Sequence, residues 1–212
     1  MTLLKDKIIE GKLEDAVALV NTALESGMSP EDIINKHLTK GMEEIGHRYE
    51  EGKAFVPNLL LAARAMKGCL EILKPLLTNE ATTLIGTAVI GTVKGDLHDI
   101  GKNLVASMLE GCGFKVINLG VDVSAEQFVQ SAKENDADII CLSALLTTTM
   151  NYMKEVVEAC VAAGIRDRVK IMVGGAPLSQ EFADKIGADG FSVNANGAVL
   201  LAKRLKGENA GH

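Results

Sequence analysis

The chain has 212 residues, enough for one large domain or two small ones, and carries a formal net charge of -6 from 22 basic and 28 acidic side chains. Aromatic residues make up 3% and tryptophan is absent, so the core rests on Leu, Ile, Val, Ala and Met, a composition unpromising for a base-stacking platform. The acidic balance and the lack of a Lys/Arg stripe argue against nucleic acid, which needs clustered cations to displace phosphate counterions.

The opening stretch, MTLLKDKIIEGKLEDA, reads as an amphipathic helix bearing acids and not as a signal peptide. No apolar run reaches the roughly 20 residues that cross a bilayer, so the expectation is a cytoplasmic protein without membrane contact. Residues 1 to about 78 are helical throughout, with apolar positions recurring at three and four. Ser29-Pro30-Glu31-Asp32 has the form of a helix start: a hydroxyl to cap free N–H groups, a proline that needs no donor, and acids at the positive end. That helix should run to about Glu51, with Gly52 as its stop. Phe55-Val56-Pro57 opens another, in which Leu59, Ala63, Met66, Leu70 and Leu73 share a stripe until Pro75 ends it. Four helices with short connections predict a small bundle over residues 1–81, with Leu76 to Ala81 as linker.

From Thr82 the pattern changes to short apolar runs alternating with amphipathic helices, which predicts a parallel sheet covered on both faces over residues 82–212. Strands are expected at Thr83 to Ile90, Lys115 to Leu119, Asp138 to Ser143, Lys170 to Val173 and Gly190 to Val193. Helices should follow at about 99–111, 125–135, 149–163, 178–186 and 196–206, and Ser124 with Gln127 can form a capping box on the second. Ligands of such sheets gather beyond the carboxyl ends of the strands. The residues there are Gly91 to His98, Gly120-Val121-Asp122, Ser143 to Thr149, Gly174 to Pro177 and Ser192-Val193-Asn194.

The first of these loops continues as Asp96-Leu97-His98-Asp99-Ile100-Gly101-Lys102-Asn103. It is not a phosphate loop, because Gly95 and Gly101 enclose five residues where a Walker loop has four, and Lys102 is followed by Asn103. It does offer an imidazole with a carboxylate two residues earlier. A ligating histidine generally gives its other ring N–H to such a carboxylate, which fixes its tautomer and raises its donor strength. Asp96 can do this for His98 if the loop curls to bring both side chains inward. A histidine merely hydrogen-bonded to its neighbour, or a general acid or base, fits the same spacing. A zinc or iron site would need further ligands, and no other His or Cys is suitably spaced. Cys69, Cys112, Cys141 and Cys160 stand alone and read as reduced packing residues, with Cys141 nearest the suspected site. Thr147 to Thr149 either extend the hydrogen bonds of the His98 loop or cap the next helix. Gly174-Gly175 either admits a flat ligand or makes a turn. His47 reads as a solvated or packing histidine.

Together these residues resemble the corrinoid proteins of methanol, methylamine and aryl-ether methyltransferase systems, which are related to the cobalamin-binding module of methionine synthase. The resemblance covers nearly the whole chain: Gly41 to Gly46, Phe55 to Met66, Asp96-x-His98-x-x-Gly101, Ser143-x-Leu145 and Gly174-Gly175. It implies an α/β protein, with a four-helix cap followed by a Rossmann-like, flavodoxin-like five-stranded sheet. It implies a cobalamin or related corrinoid bound base-off, with His98 as the lower axial ligand of cobalt and Asp96 holding His98. Thr149 falls where methionine synthase has the serine of its relay, keeping the hydroxyl and adding a methyl group. Ser143, Leu145 and Thr147 match positions that contact the cofactor, and Gly101, Gly174 and Gly175 match glycines that make room for it. Asn194 stands where many relatives have an acid.

The resemblance further implies a carrier that is not catalytic on its own. It would take a methyl group from a substrate-specific methyltransferase and pass it to a second methyltransferase, with a reductive activase as third partner. The helical half would cover the upper cobalt face and move about a hinge near residues 76 to 82. A B12-dependent sensor, the cobalamin subunit of a mutase and a corrinoid-free binding protein are the alternatives.

Overall fold

The computed structural model describes residues 2–76 and 85–207. The expected linker and hinge therefore lie, apart from Leu76, outside the described residues, as do the first two residues of the expected first strand. The chain divides into two compact units, one of Met1–Leu84 with Ser107–Phe114, the other of Ile85–Ala106 with Lys115–His212.

In the first unit the helices are α1 (Thr2–Ile9), α2 (Leu13–Glu25), α3 (Pro30–Ile33), α4 (Thr39–Glu50) and α5 (Val56–Leu73). The amphipathic start is not one helix. It breaks after Ile9, where Gly11 takes φ +68° and lies so close to Leu61 that a Cβ would stand 2.4 Å from the Leu61 Cβ. Ser29 caps its helix as expected, accepting from the Asp32 N–H at 3.2 Å. The run to Glu50 passes through a wider π-type turn at Ile34–Leu38 that joins α3 to α4. The α5 stripe of Leu59, Ala63, Met66, Leu70 and Leu73 is buried, together with Ile8, Val20, Leu38 and Ile45 from the other helices.

The second unit contains β1 (Thr87–Thr92), α6 (Ile100–Gly111), β2 (Lys115–Asn118), α7 (Ala125–Glu134), β3 (Ile139–Ser143), α8 (Tyr152–Ala162), β4 (Lys170–Gly174), α9 (Gln180–Ile186), β5 (Gly190–Ser192) and α10 (Ala195–Lys206). The last turns of α6 cluster with the helical unit, where Gly111 packs on Ala63 and Lys67 pairs with Glu110 at 2.9 Å. All five strands run parallel in the order β2-β1-β3-β4-β5. The order reverses at β1, so the loops after β1 and β3 leave in opposite directions and open a crevice between them. Register places Thr92 beside Ser143, Ser143 beside Gly174, and Gly174 beside Ser192, one level row along the carboxyl edge.

Alternation along the strands buries Val89, Ile140, Leu142, Ile171 and Val173 against Phe128, Met153 and Val156 of the covering helices. The capping box of Ser124 with Gln127 is present. All four cysteines are buried and none is in a disulfide. Desolvation pushes the thiols of Cys69 and Cys141 up to about 12 and that of Cys160 up to about 11. Among the described residues no helix is long and apolar enough to cross a membrane.

Candidate functional site

The β1 strand continues two residues beyond its expected end, so that Gly91 and Thr92 are buried strand residues. The chain then turns through Gly95, at φ +79°, and folds back over the sheet edge. Asp96 closes this turn on itself. Its Oδ1 accepts the backbone N–H of His98 at 3.0 Å and lies 2.7 Å from His98 Nδ1, which brings carboxylate and imidazole together as the two-residue spacing suggests. The His98 carbonyl accepts from the Thr92 hydroxyl at 2.9 Å, tying the loop to the end of β1.

The other carboxylate oxygen faces the loop after β3. Asp96 Oδ2 accepts the N–H groups of Leu145 at 2.8 Å and Leu146 at 3.3 Å, and the Thr149 hydroxyl at 2.7 Å. Five donors therefore converge on one side chain, which is fully buried, whereas the His98 side chain is 52% exposed. Burial pushes the Asp96 carboxyl upward. The bonds from the His98 and Leu145 backbones, the Thr149 hydroxyl and the His98 ring outweigh it and hold the group well below the usual carboxylate range. An ionised Asp96 accepts only, so Nδ1 of His98 must be the donor, and in the neutral ring Nε2 then keeps its lone pair. Among the described residues nothing hydrogen-bonds Nε2, and the ring stands at the mouth of the crevice with one nitrogen free to ligate.

Thr149 uses its hydroxyl on Asp96 and does not cap the next helix. Helix α8 starts at Tyr152, three residues later than expected, and its N-cap Asn151 makes no side-chain cap bond. The methyl that distinguishes Thr149 from serine leaves the hydroxyl in place on Oδ2. Ser143 sits half-buried in the edge row between Thr92 and Gly174, while Thr147 is exposed on the loop and has no contact to the network. Asn194 is the N-cap of α10, where its amide oxygen accepts from the Gly197 N–H at 2.8 Å.

The three glycines have different reasons. Gly175 has φ +144°, and a Cβ there would stand 1.8 Å from the Ala144 carbonyl oxygen, so the fold itself demands it. A Cβ on Gly174 would make an ordinary 3.5 Å contact with the Ser192 carbonyl, and one on Gly101 would meet nothing within 4 Å. No protein atom excludes a side chain at those two positions. Around the mouth, large apolar side chains lie open: Leu97 at 71%, Ile100 at 88% and Val193 at 82% exposure, with Leu145 and Leu146 less so.

Sequence reasoning assigned no role to several residues at this mouth. Lys102, Asn103 and Asn118 form a side-chain network, and Asp122, with φ +55°, accepts the Gly95 N–H at 2.7 Å. A lysine in the first turn of a helix, against the dipole, was the available signal. Among the described residues no group of three or more His, Cys, Asp or Glu could hold a metal. One imidazole suffices only if an equatorial ligand set comes with the metal, as in a macrocycle, and the apolar rim suits such a body. The donor set fits a corrinoid.

Residues 86–200 match the model of a B12 binding domain, and residues 2–74 match a second model also described as a B12 binding domain. The chain is 46% identical over 203 residues to the dimethylamine corrinoid protein of Methanosarcina barkeri, covering 95% of both chains. It is 47% identical to trimethylamine corrinoid protein 1 of Methanosarcina acetivorans, over 95% of this chain and 94% of that one. Among solved structures it is similar to a cobalamin-binding protein from Desulfitobacterium hafniense, with 31% identity and a TM-score of 0.81 over 96% of this chain and 97% of that one. It is also similar to a chain of the methanol:cobalamin methyltransferase complex MtaBC of Methanosarcina barkeri, with 32% identity and a TM-score of 0.83 over 96% and 78%. A lone, carboxylate-held imidazole on a five-stranded parallel sheet and a match along almost the whole length agree: the chain belongs to the B12-binding corrinoid proteins.

Proposed function

We propose that this chain is the methyl-carrying corrinoid subunit of a methyltransferase system, with His98 as the protein's axial ligand to cobalt. The observation that carries the reading is the Asp96–His98 pair, in which Nδ1 is committed to a buried carboxylate and Nε2 has no partner among the described residues. When bound, the corrinoid supplies a cobalt centre able to accept and release a methyl group. The chain's own residues do the rest. Asp96 fixes the tautomer and direction of His98, Thr149 and the Leu145 N–H fix Asp96, and the apolar rim excludes water.

Gly101 and Gly174 leave room for the cofactor, and Gly175 sets the backbone on which Leu145 stands. Ser143, Leu145 and Thr147 would contact a corrinoid held with its own base off cobalt. Asn194 adds a contact through whatever its capping role leaves available. Residues 1–81 act as the cap and residues 82–212 as the cofactor-binding domain. The partners are a substrate-specific methyltransferase, a second methyltransferase that takes the methyl group onward, and a reductive activase. The two amine-named relatives support a methylated amine as the source, and the MtaBC likeness supports a stable encounter with a methyltransferase. Four buried cysteines outside any disulfide are in keeping with a cytoplasmic setting.

Replacing His98 with alanine tests the ligand. In the cobalt(II) form of the reconstituted protein, the splitting of the paramagnetic resonance lines by a ligating nitrogen should vanish. The fold should be nearly unaffected, because the ring is half exposed. With a corrinoid whose tail carries no nitrogen base, a variant that keeps the nitrogen splitting would remove His98 from cobalt. Gly101→Ala makes a second test with opposite signs. It should raise thermal stability by about 0.5–1 kcal/mol and weaken corrinoid binding about tenfold through crowding, and unchanged affinity would show that no cofactor approaches this turn.

A further inference from the structure

Lys102 is a cation in an unfavourable place. It is 3% exposed and stands in the first turn of α6, where the helix dipole repels positive charge. Among the described residues no carboxylate forms an ion pair with it, and burial lowers its affinity for the proton. Its Nζ instead donates to Asn103 Oδ1 at 2.6 Å and Asn118 Oδ1 at 2.8 Å. Asn118 Nδ2 donates to Asn103 Oδ1 at 3.1 Å, Asn103 Nδ2 donates to Asp99 Oδ2 at 2.9 Å, and Asn118 Oδ1 also accepts the Gly120 N–H at 3.0 Å. A buried charge bonded to neutral amides is costly, and the Asp99 carboxylate only partly offsets that cost.

These bonds concern the His98 loop. Lys102 ties the first turn of α6, which follows the loop, to Asn118, at the carboxyl end of the edge strand β2. Four residues on, Asp122 grips the near end: its Oδ1 accepts the Gly95 N–H at 2.7 Å, and its own N–H donates to the Asp96 carbonyl at 3.1 Å. Asp122 adopts the left-handed backbone that side chains rarely take, and these two bonds hold it there.

We infer that Lys102, Asn118 and Asp122 are positioning residues, a two-point clamp through which segment 118–122 holds the 94–99 loop and the first turn of α6 and aims His98 at cobalt. The clamp deepens the ligand assignment proposed above and rests on it. None of its three side chains needs to touch the cofactor.

The test uses the full chain, reconstituted with cobalamin, as wild type, Lys102→Met and Asn118→Ala, with Lys94→Ala as a variant of an exposed side chain in the same loop. Met preserves the bulk of Lys102, and Asn118 lies at an exposed edge, so at least one variant retains the fold. Both clamp variants should bind cobalamin about tenfold more weakly and show a smaller fraction of cobalt(II) with nitrogen splitting. In the cofactor-free protein, the amides of Asp96, His98 and Asp122 should exchange with deuterium faster than in wild type or Lys94→Ala. Equal affinity, splitting and exchange in both variants overturn the clamp. If wild type itself lacks nitrogen splitting, the ligand assignment fails, and exchange alone then decides: faster in the variants, the clamp stands; unchanged, it falls.

Discussion

Gly175→Ala should cost the cofactor-binding unit about 4 kcal/mol or more, measured as a collapse of its urea or thermal midpoint. Two penalties act together. The backbone there has φ +144°, a conformation close to glycine-only, and the new methyl would stand 1.8 Å from the Ala144 carbonyl oxygen and 2.9 Å from the Ala144 carbonyl carbon. Neither neighbour is the tip of a flexible side chain, so relief requires the β3–α8 loop to move. That loop carries the Leu145 N–H that holds Asp96, and a surviving fraction of folded protein should bind corrinoid poorly. Gly174→Ala is the internal comparison, because its added carbon makes only an ordinary contact. It should fold normally and lose affinity alone. A Gly175→Ala protein with a wild-type midpoint would show that the close passage of these two backbones is wrong.

Asp96→Asn should be the next most damaging change, at about 3 kcal/mol of stability, although it alters one atom. All five groups that address Asp96 are donors, namely two from His98, two backbone N–H groups and the Thr149 hydroxyl. An amide turns one acceptor into a further donor, so a buried N–H must face another. The pH dependence gives a separate check. The folded carboxyl is held below its usual value, so the unfolded chain takes up the proton first. Its contribution is complete above the unfolded pKa of about 3.9 and is lost as the pH falls through the folded value. The stability gap between wild type and Asp96→Asn should therefore be constant near neutrality and narrow from about pH 4 downward. A gap that stays level to pH 3 would mean the carboxylate is not held ionised.

The sheet and its loops were legible because their information is periodic and local. Strand Lys170 to Val173 and the helices after β2 and β4 lie within two residues of their expected bounds, and Ser124 carries its capping box visibly. The Asp96–His98 pair was legible because two residues of separation suffice for an aspartate to bond the backbone and side chain ahead of it. The rest of the Asp96 shell was not. Two of its donors are peptide N–H groups of Leu145 and Leu146, and a peptide N–H is present at every position except proline, so it leaves no mark in a sequence. The break at Gly11 was hidden for a related reason. Its cause is the approach of Leu61, fifty residues away, to a glycine that a helical period tolerates. The Thr149 ambiguity lay between a cap and a long-range bond, which the same hydroxyl can serve, and only the spatial position of Asp96 distinguishes them.

The burial of the cysteines has a consequence for a protein that handles an electrophilic carbon. Thiolates attack methyl donors readily, and Cys141 lies on β3, the strand that leads directly to the site. Within the sheet its sulfur is pushed up to about 12 and so stays protonated at neutral pH. Cys69 and Cys160 are silenced the same way. At these three positions burial thus keeps the thiol away from the methyl group that the protein carries.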